Sequence, residues 1–207
     1  MKNLLLDVDG VMIRDRLITQ HLEHNINSYV AKKLPMARNI HMIRTMLFNR
    51  YGHTGRGLQK AFCINTSDFD SEVYDKSLLN HLYGYIDTPM FRDDAEDIHN
   101  LIERDGWNVT LFSNAPVEWV APVALAIDHR VNVPTDRLLL KPESGSYGQF
   151  PRNQKYIFVD DMISNLLTPS LLPNWKCIQF ADKPTGSFLN VRSIWELTLM
   201  LNTISRD

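Results

Sequence analysis

Four short apolar runs set the frame for this chain: LLLDV at 4–8, NVTLF at 108–112, KYIFV at 155–159 and KCIQF at 176–180. Each is near-continuous in apolar character and rich in β-branched, aromatic or leucine side chains. Runs of this length without alternation suit strands buried on both faces, as in a parallel sheet. Helical patterns separate the later runs. Residues 93–104, DDAEDIHNLIER, open with acids in the first turn and carry Ile98, Leu101 and Ile102 on one face. Residues 190–204 place Val191, Ile194, Leu197, Leu201 and Ile204 at helical spacing. Strand, helix, strand, helix predicts an α/β fold with a parallel sheet flanked by helices.

The stretch from 14 to 87 is of another kind. It has no comparable strand run, only helix-like segments at 18–34, 36–51 and 68–82, punctuated by Pro35, Gly52, Gly55, Gly57 and Gly84. A helical block inserted after the first strand predicts a small all-helical domain over 14–87. The α/β domain is then built from 1–13 and 88–207.

Three of the four apolar runs stop at adjacent or near-adjacent polar groups. LLLDVDG ends at Asp7 and Asp9, VTLFSNA at Ser113 and Asn114, and YIFVDDM at Asp160 and Asp161. Ligands of open parallel sheets bind beyond the carboxyl ends of the strands, so neighbouring strands would bring these clusters together. Four carboxylates at one place repel unless a cation sits among them. A carboxylate-rich set of hard oxygens suits Mg²⁺, which keeps waters and bridges to phosphate. Ser113 and Asn114 can donate to a phosphate, and Lys141 in LLLKPESG supplies a positive charge.

DVDGV, FSN, KPE and VDDMISN, in this order, resemble the four motifs of the haloacid dehalogenase (HAD) superfamily. The likeness covers 4–10 and about 93–165, essentially the whole α/β part. It implies a Rossmann-like HAD core, with the inserted helices as a cap between motifs one and two. Within that block, RYGHTGRGL and SDFDSEVYD are similar, more loosely, to caps of pyrimidine 5′-nucleotidase-like members. Val11 departs from the threonine of many relatives, and VNVPTDRLLL before Lys141 matches the family pattern only loosely.

The resemblance implies a Mg²⁺-dependent phosphohydrolase acting through an aspartyl-phosphate. Asp7 would be the nucleophile and Asp9 the general acid and base. Mg²⁺ would sit on Asp7, the Asp9 carbonyl and one or both of Asp160 and Asp161. Ser113, helped by Asn114, would hold the phosphoryl group, and Lys141 would neutralise charge. Relatives that attack carbon need no acid two residues on, and transport ATPases carry threonine there, so Asp9 points to phosphatase or phosphomutase chemistry. The implied substrate is a small phosphorylated metabolite, by the cap resemblance a pyrimidine nucleoside 5′-monophosphate. A sugar-phosphate phosphatase or a phosphomutase of the same superfamily is the alternative enzyme, and a catalytically idle HAD-fold binding protein the alternative from another class.

Other residues carry blander readings. FSNAP is not the G-x-S-x-G elbow of a serine hydrolase. Asp161 can also cap the helix that follows, and Asn165 steadies the loop rather than binding metal. Arg56, between Gly55 and Gly57, either reaches toward the substrate or sits exposed on an ordinary turn. Trp107, Trp175 and Trp195 read as core or rim packing. His21 and His24 share a helical face without a third ligand. With 22 Lys and Arg against 24 Asp and Glu, the net charge of −2 gives no footprint for nucleic acid or an anionic membrane. Cys63 and Cys177 form no CxxC pair and read as reduced thiols. Asp7 breaks the first apolar run too early for a signal peptide, and VEWVAPVALAI is too short to span a bilayer, so the expected location is the cytoplasm. A homodimer is compatible with the sequence, which carries no legible interface stripe.

Overall fold

The structure is a computed structural model that describes residues 2–135 and 139–204; positions 136–138 of the VNVPTDRLLL stretch lie outside the described residues. Five parallel strands form one sheet in the order β2-β1-β3-β4-β5. They are β1 (Lys2–Leu6), β2 (Trp107–Leu111), β3 (Tyr156–Asp160), β4 (Trp175–Phe180) and β5 (Leu189–Val191). The four predicted runs are thus strands, each shifted by a residue or two toward its start or end. On one face Leu4, Leu6, Val109, Leu111, Val159 and Ile178 pack with α6 (Pro89–Asp105), α7 (Val117–Ile127) and α10 (Ile194–Ile204). On the other, Leu5, Phe158 and Cys177 meet Tyr147 of α8 (Ser144–Tyr147) and Leu166 of α9 (Ile163–Leu167). Alternating side chains of a strand point to opposite faces, so continuous apolar runs become two buried layers.

β5 was not visible as a strand. Its LNV is short, and Val191 lies in phase with the helical spacing that follows. The helix instead starts at Ile194, where the Ser193 hydroxyl accepts the Glu196 N–H at 3.1 Å, an S-x-x-E arrangement at a helix start. Trp107 and Trp175 are buried as expected, whereas Trp195 is exposed.

Between β1 and α6 the chain runs through α1 (Arg16–Lys33), α2 (Ile40–Tyr51), α3 (Thr54–Phe62), α4 (Phe69–Val73) and α5 (Lys76–Ile86). Tyr29, Val30, Leu47, Leu58, Phe69 and Val73 form a small core of their own here, while Leu78, Leu82 and Tyr85 of α5 join the core beneath the sheet. The glycines around 52–57 read as turn punctuation, yet 55 and 57 lie inside α3. A Cβ at Gly55 would meet the Phe69 ring at 2.8 Å and one at Gly57 would meet Leu47 at 2.8 Å, so these glycines allow close packing rather than turning. Among the described residues no helix is long and apolar enough to cross a membrane.

Candidate active site

The polar ends of β1, β2 and β3 lie side by side, because β1 is flanked by the other two. Pairing continues just past the strands: the Asp7 N–H donates to the Val159 carbonyl at 2.9 Å, and the Phe112 N–H to the Leu6 carbonyl at 2.7 Å. Asp9 lies beyond β1, in a turn where the Val8 carbonyl accepts from Met12 and Ile13. β1 ends at Leu6, so the turn rather than strand alternation places Asp9 relative to Asp7. Gly10 in that turn has φ +89°, and a Cβ there would lie 2.4 Å from the Asp161 carboxylate. A side chain at this position would be strained and would collide with another acid of the cluster.

Lys141 is the centre of the charge arrangement. It is only 1% exposed, and its ammonium lies 2.6 Å from Asp160 Oδ2 and 3.0 Å from Asp7 Oδ1. Phe112 and Phe158 present their rings to the same ammonium at 5.2 and 5.4 Å. The peptide bond to Pro142 is cis. Asn114 holds the Lys141 backbone from both ends of its amide: Nδ2 donates to the Lys141 carbonyl at 2.9 Å, and Oδ1 accepts the Lys141 N–H at 2.9 Å. The side chain expected to help with phosphate is thus also the clamp that positions the lysine. Asn165 donates to both Asp160 oxygens, at 2.9 and 3.1 Å, and its own carbonyl accepts from the Tyr147 hydroxyl. The loop-steadying role read for Asn165 has this concrete form. Asp161 does not cap α9; the Met162 N–H goes to Asp160 Oδ1 at 2.9 Å instead.

Asp7, Asp160 and Asp161 can bring one oxygen each within 4.8 Å of the others. Burial and the neighbouring Asp160 raise the Asp7 carboxyl well above its usual range, against the pull of Lys141. Burial and Asp160 likewise push Asp161 up to about 7, and burial pushes Asp9 up to about 6 despite the Trp119 N–H and Lys141. Burial works against the Lys141 charge, but Asp160 and Asp7 outweigh it and the net shift is upward. Carboxylates lifted together beside one lysine form a cluster short of positive charge among the described residues. Three converging hard oxygens with that deficit fit a divalent cation such as Mg²⁺.

A cavity of about 260 Å³ opens on the cluster, lined by Asp7, Asp9, Ser113, Asn114, Lys141 and Asp161 at the strand ends and by residues of the helical block opposite. Five parallel strands in this order, flanked by helices, with a helical block between β1 and α6, give a topology that can be compared directly. No protein-family model matches the sequence, and no curated protein matches it either. Solved structures do match its fold. A phosphoserine phosphohydrolase-like protein from Francisella tularensis superposes with a TM-score of 0.60 at 16% identity, covering 97% of this chain and 100% of that one. An archaeal β-phosphoglucomutase from Pyrococcus gives 0.54 at 12% identity over 100% of both chains. A candidate HAD hydrolase from Bacillus subtilis, YfnB, in a magnesium-bound structure, gives 0.52 at 14% identity, covering 97% of this chain and 98% of that one. The fold is the HAD fold.

Two features of this HAD fold escaped the sequence. Trp119, fully buried in α7, donates its indole N–H to Asp9 Oδ1 at 3.0 Å and packs its ring 5.4 Å from Tyr74 of the helical block. VEWVAPVALAI reads as a uniformly greasy helix, and nothing in it marks one indole as a hydrogen-bond donor to an acid on another element. Arg56 does not line the cavity. It lies in α3 with its Nε 2.9 Å from Glu143 Oε1, and Lys60 approaches the same carboxylate at 2.6 Å. The Glu of K-P-E therefore faces the helical block while the lysine two residues earlier faces the acids.

Proposed function

We propose that this chain is a Mg²⁺-dependent phosphomonoesterase of HAD type, with residues 1–13 and 88–207 as its catalytic domain and 14–87 as its cap. The observation that carries the reading is the meeting of Asp7, Asp9, Ser113, Lys141 and Asp161 around one cavity, with Asp160 buried behind Lys141. The hydrogen bonds to Asp7 converge on Oδ1, from Lys141 and from the Val8 N–H at 2.7 Å, which leaves Oδ2 to attack phosphorus. Asp9, held at Oδ1 by Trp119, gives its proton to the departing alkoxide and takes one from the water that opens the aspartyl-phosphate. A carboxyl pushed up to about 6 can carry a proton near neutral pH and still accept one. Ser113 Oγ accepts from the Ala115 N–H at 3.0 Å, so its hydroxyl hydrogen is free to turn toward a phosphoryl oxygen. Asp7, Asp160 and Asp161, with the Asp9 carbonyl, would hold Mg²⁺, which supplies charge neutralisation between anionic nucleophile and anionic substrate.

The preferred substrate is a pyrimidine nucleoside 5′-monophosphate. The two stretches that resemble nucleotidase caps, RYGHTGRGL and SDFDSEVYD, supply Gly52, His53, Thr54, Phe69 and Tyr74 to the cavity wall. The test is phosphate release with and without Mg²⁺ across nucleoside monophosphates and sugar phosphates, with Asp7→Asn as control and acid trapping of the phosphoenzyme. Mg²⁺-dependent turnover that favours pyrimidine monophosphates and vanishes in Asp7→Asn is expected. Preference for sugar phosphates would move the substrate to the alternative enzyme. Neither turnover nor trapped phosphoenzyme would leave a binding protein.

A further inference from the structure

Resting on the hydrolase reading above, we infer that the enzyme selects phosphomonoesters whose leaving group is uncharged and carries a ring with an apolar face. Zwitterionic amino-acid phosphates and hexose phosphates are rejected. The cavity has two unlike halves. Its Asp and Lys side chains, Asp7, Asp9, Lys141 and Asp161, all stand at or beside the strand ends, where the phosphoryl group and metal would go. The half supplied by the helical block holds no Asp, Glu, Lys or Arg among the described residues.

That second half is an apolar wall. Ile18, Leu22 and Ile26 succeed one another at four-residue spacing on α1 and form one stripe. Phe48, Phe69 and Tyr74 add three rings. Polar groups between them have partners within the protein. Thr19 Oγ1 donates to the Asp15 carbonyl at 2.9 Å, and His53 Nδ1 accepts the Arg56 N–H at 3.1 Å. Arg56 and Lys60 of the block are directed to Glu143, and Arg56 and Asp70 line a second cavity that shares only His53 and Phe69 with the first.

A leaving group bearing an ammonium and a carboxylate would lose its water here and find no counter-charge. A hexose would bring several hydroxyls to a wall able to pair few of them. A ring with one polar edge fits, because its faces stack on the phenyl rings and its edge meets Thr54. Discrimination of about tenfold or more follows from a single buried polar group left unpaired.

The test uses 2-phenylethyl phosphate, uridine 5′-monophosphate, O-phosphoserine and a hexose 6-phosphate, all esters of primary alcohols, so that leaving-group reactivity is comparable. Acetyl phosphate serves as a donor that barely touches the wall. kcat/KM for the first two is expected to exceed that for the last two by roughly tenfold or more. Equal or higher values for phosphoserine or the hexose ester overturn the inference, as does turnover of acetyl phosphate with none of the four. In Phe48→Ala, a change at a side chain 39% exposed, the advantage of the ring-bearing esters over the hexose ester is expected to shrink by about fivefold. An unchanged ratio overturns the assignment of the wall. If acetyl phosphate and all four esters are inert, the hydrolase reading fails, and saturation-transfer NMR still reads the wall. 2-Phenylethyl phosphate bound in preference to O-phosphoserine upholds the wall, and the reverse order, or no binding, overturns it.

Discussion

Replacing Gly52 by alanine tests how tightly the helical block is pressed onto the lysine loop. Gly52 ends α2 with φ +69°, and a Cβ there would lie 2.3 Å from the Lys141 carbonyl oxygen and 2.3 Å from Pro142 Cδ. Two costs add. The left-handed backbone strains any residue with a Cβ by roughly 1–2 kcal/mol. Overpacking against main chain that cannot rotate away adds about 1–3 kcal/mol. Gly106 provides the internal reference, since it ends α6 with φ +65° and a Cβ there would meet nothing within 4 Å. Gly106→Ala therefore carries the strain alone. Gly52→Ala is expected to lose about 2–5 kcal/mol and Gly106→Ala about 1–2 kcal/mol, read from urea midpoints at constant m. The difference, about 1–3 kcal/mol, measures the contact between block and loop. Because the displaced atoms belong to Lys141, the proposed phosphatase activity, per folded molecule, should fall in Gly52→Ala and hold in Gly106→Ala. Two losses equal within about 0.5 kcal/mol would show that the α2–α3 corner does not bear on Lys141, and the reasoning would fail.

Two further predictions follow from buried charge. Lys141→Met removes the ammonium between Asp160, which is fully buried, and Asp7, and should cost about 3–5 kcal/mol in urea unfolding; a loss under about 1 kcal/mol would mean that water already reaches these acids. Asp128, whose side chain is 2% exposed, is held well below the usual carboxylate range by hydrogen bonds from the Arg130 guanidinium and backbone and from His99. A depressed folded-state value gives stability that is present above about pH 4 and lost as pH falls toward that lower value. Asp128→Asn should flatten the acid side of the stability profile, and a profile parallel to that of the parent would refute the assignment.

The strand ends were legible because two physical signals coincide there. An apolar run long enough for one strand stops at polar groups, and it does so three times in the chain. What stayed hidden depends on pairs of elements rather than on single runs. α3 was masked by Gly55 and Gly57, whose reason for being glycine lies in Phe69 and Leu47 on other helices. Trp119 looked like one more apolar residue of α7, and its role appears only when Asp9 is set beside it. Arg56 was visible as a charge between glycines, but its partner Glu143 lies far along the chain. β5 is an edge strand of three residues, too brief to impose its own periodicity on the helix after it.

The loop carrying K-P-E explains why the site and the helical block belong together. Lys141 points into the carboxylates and pairs with Asp7 and Asp160. Glu143, two residues on, points the other way into Arg56 and Lys60 of α3. The backbone between them is gripped by Asn114 from the end of β2 and covered by Gly52 from the end of α2. A movement of α3 that kept Arg56 paired with Glu143 would carry the loop that holds the lysine. The charge balance felt by the four aspartates is thereby tied to where the apolar wall stands. In a phosphatase that closes over its substrate, a leaving group that fits the wall also fixes the lysine against the acids. Selection of the leaving group and readiness of the nucleophile then rest on the same short loop.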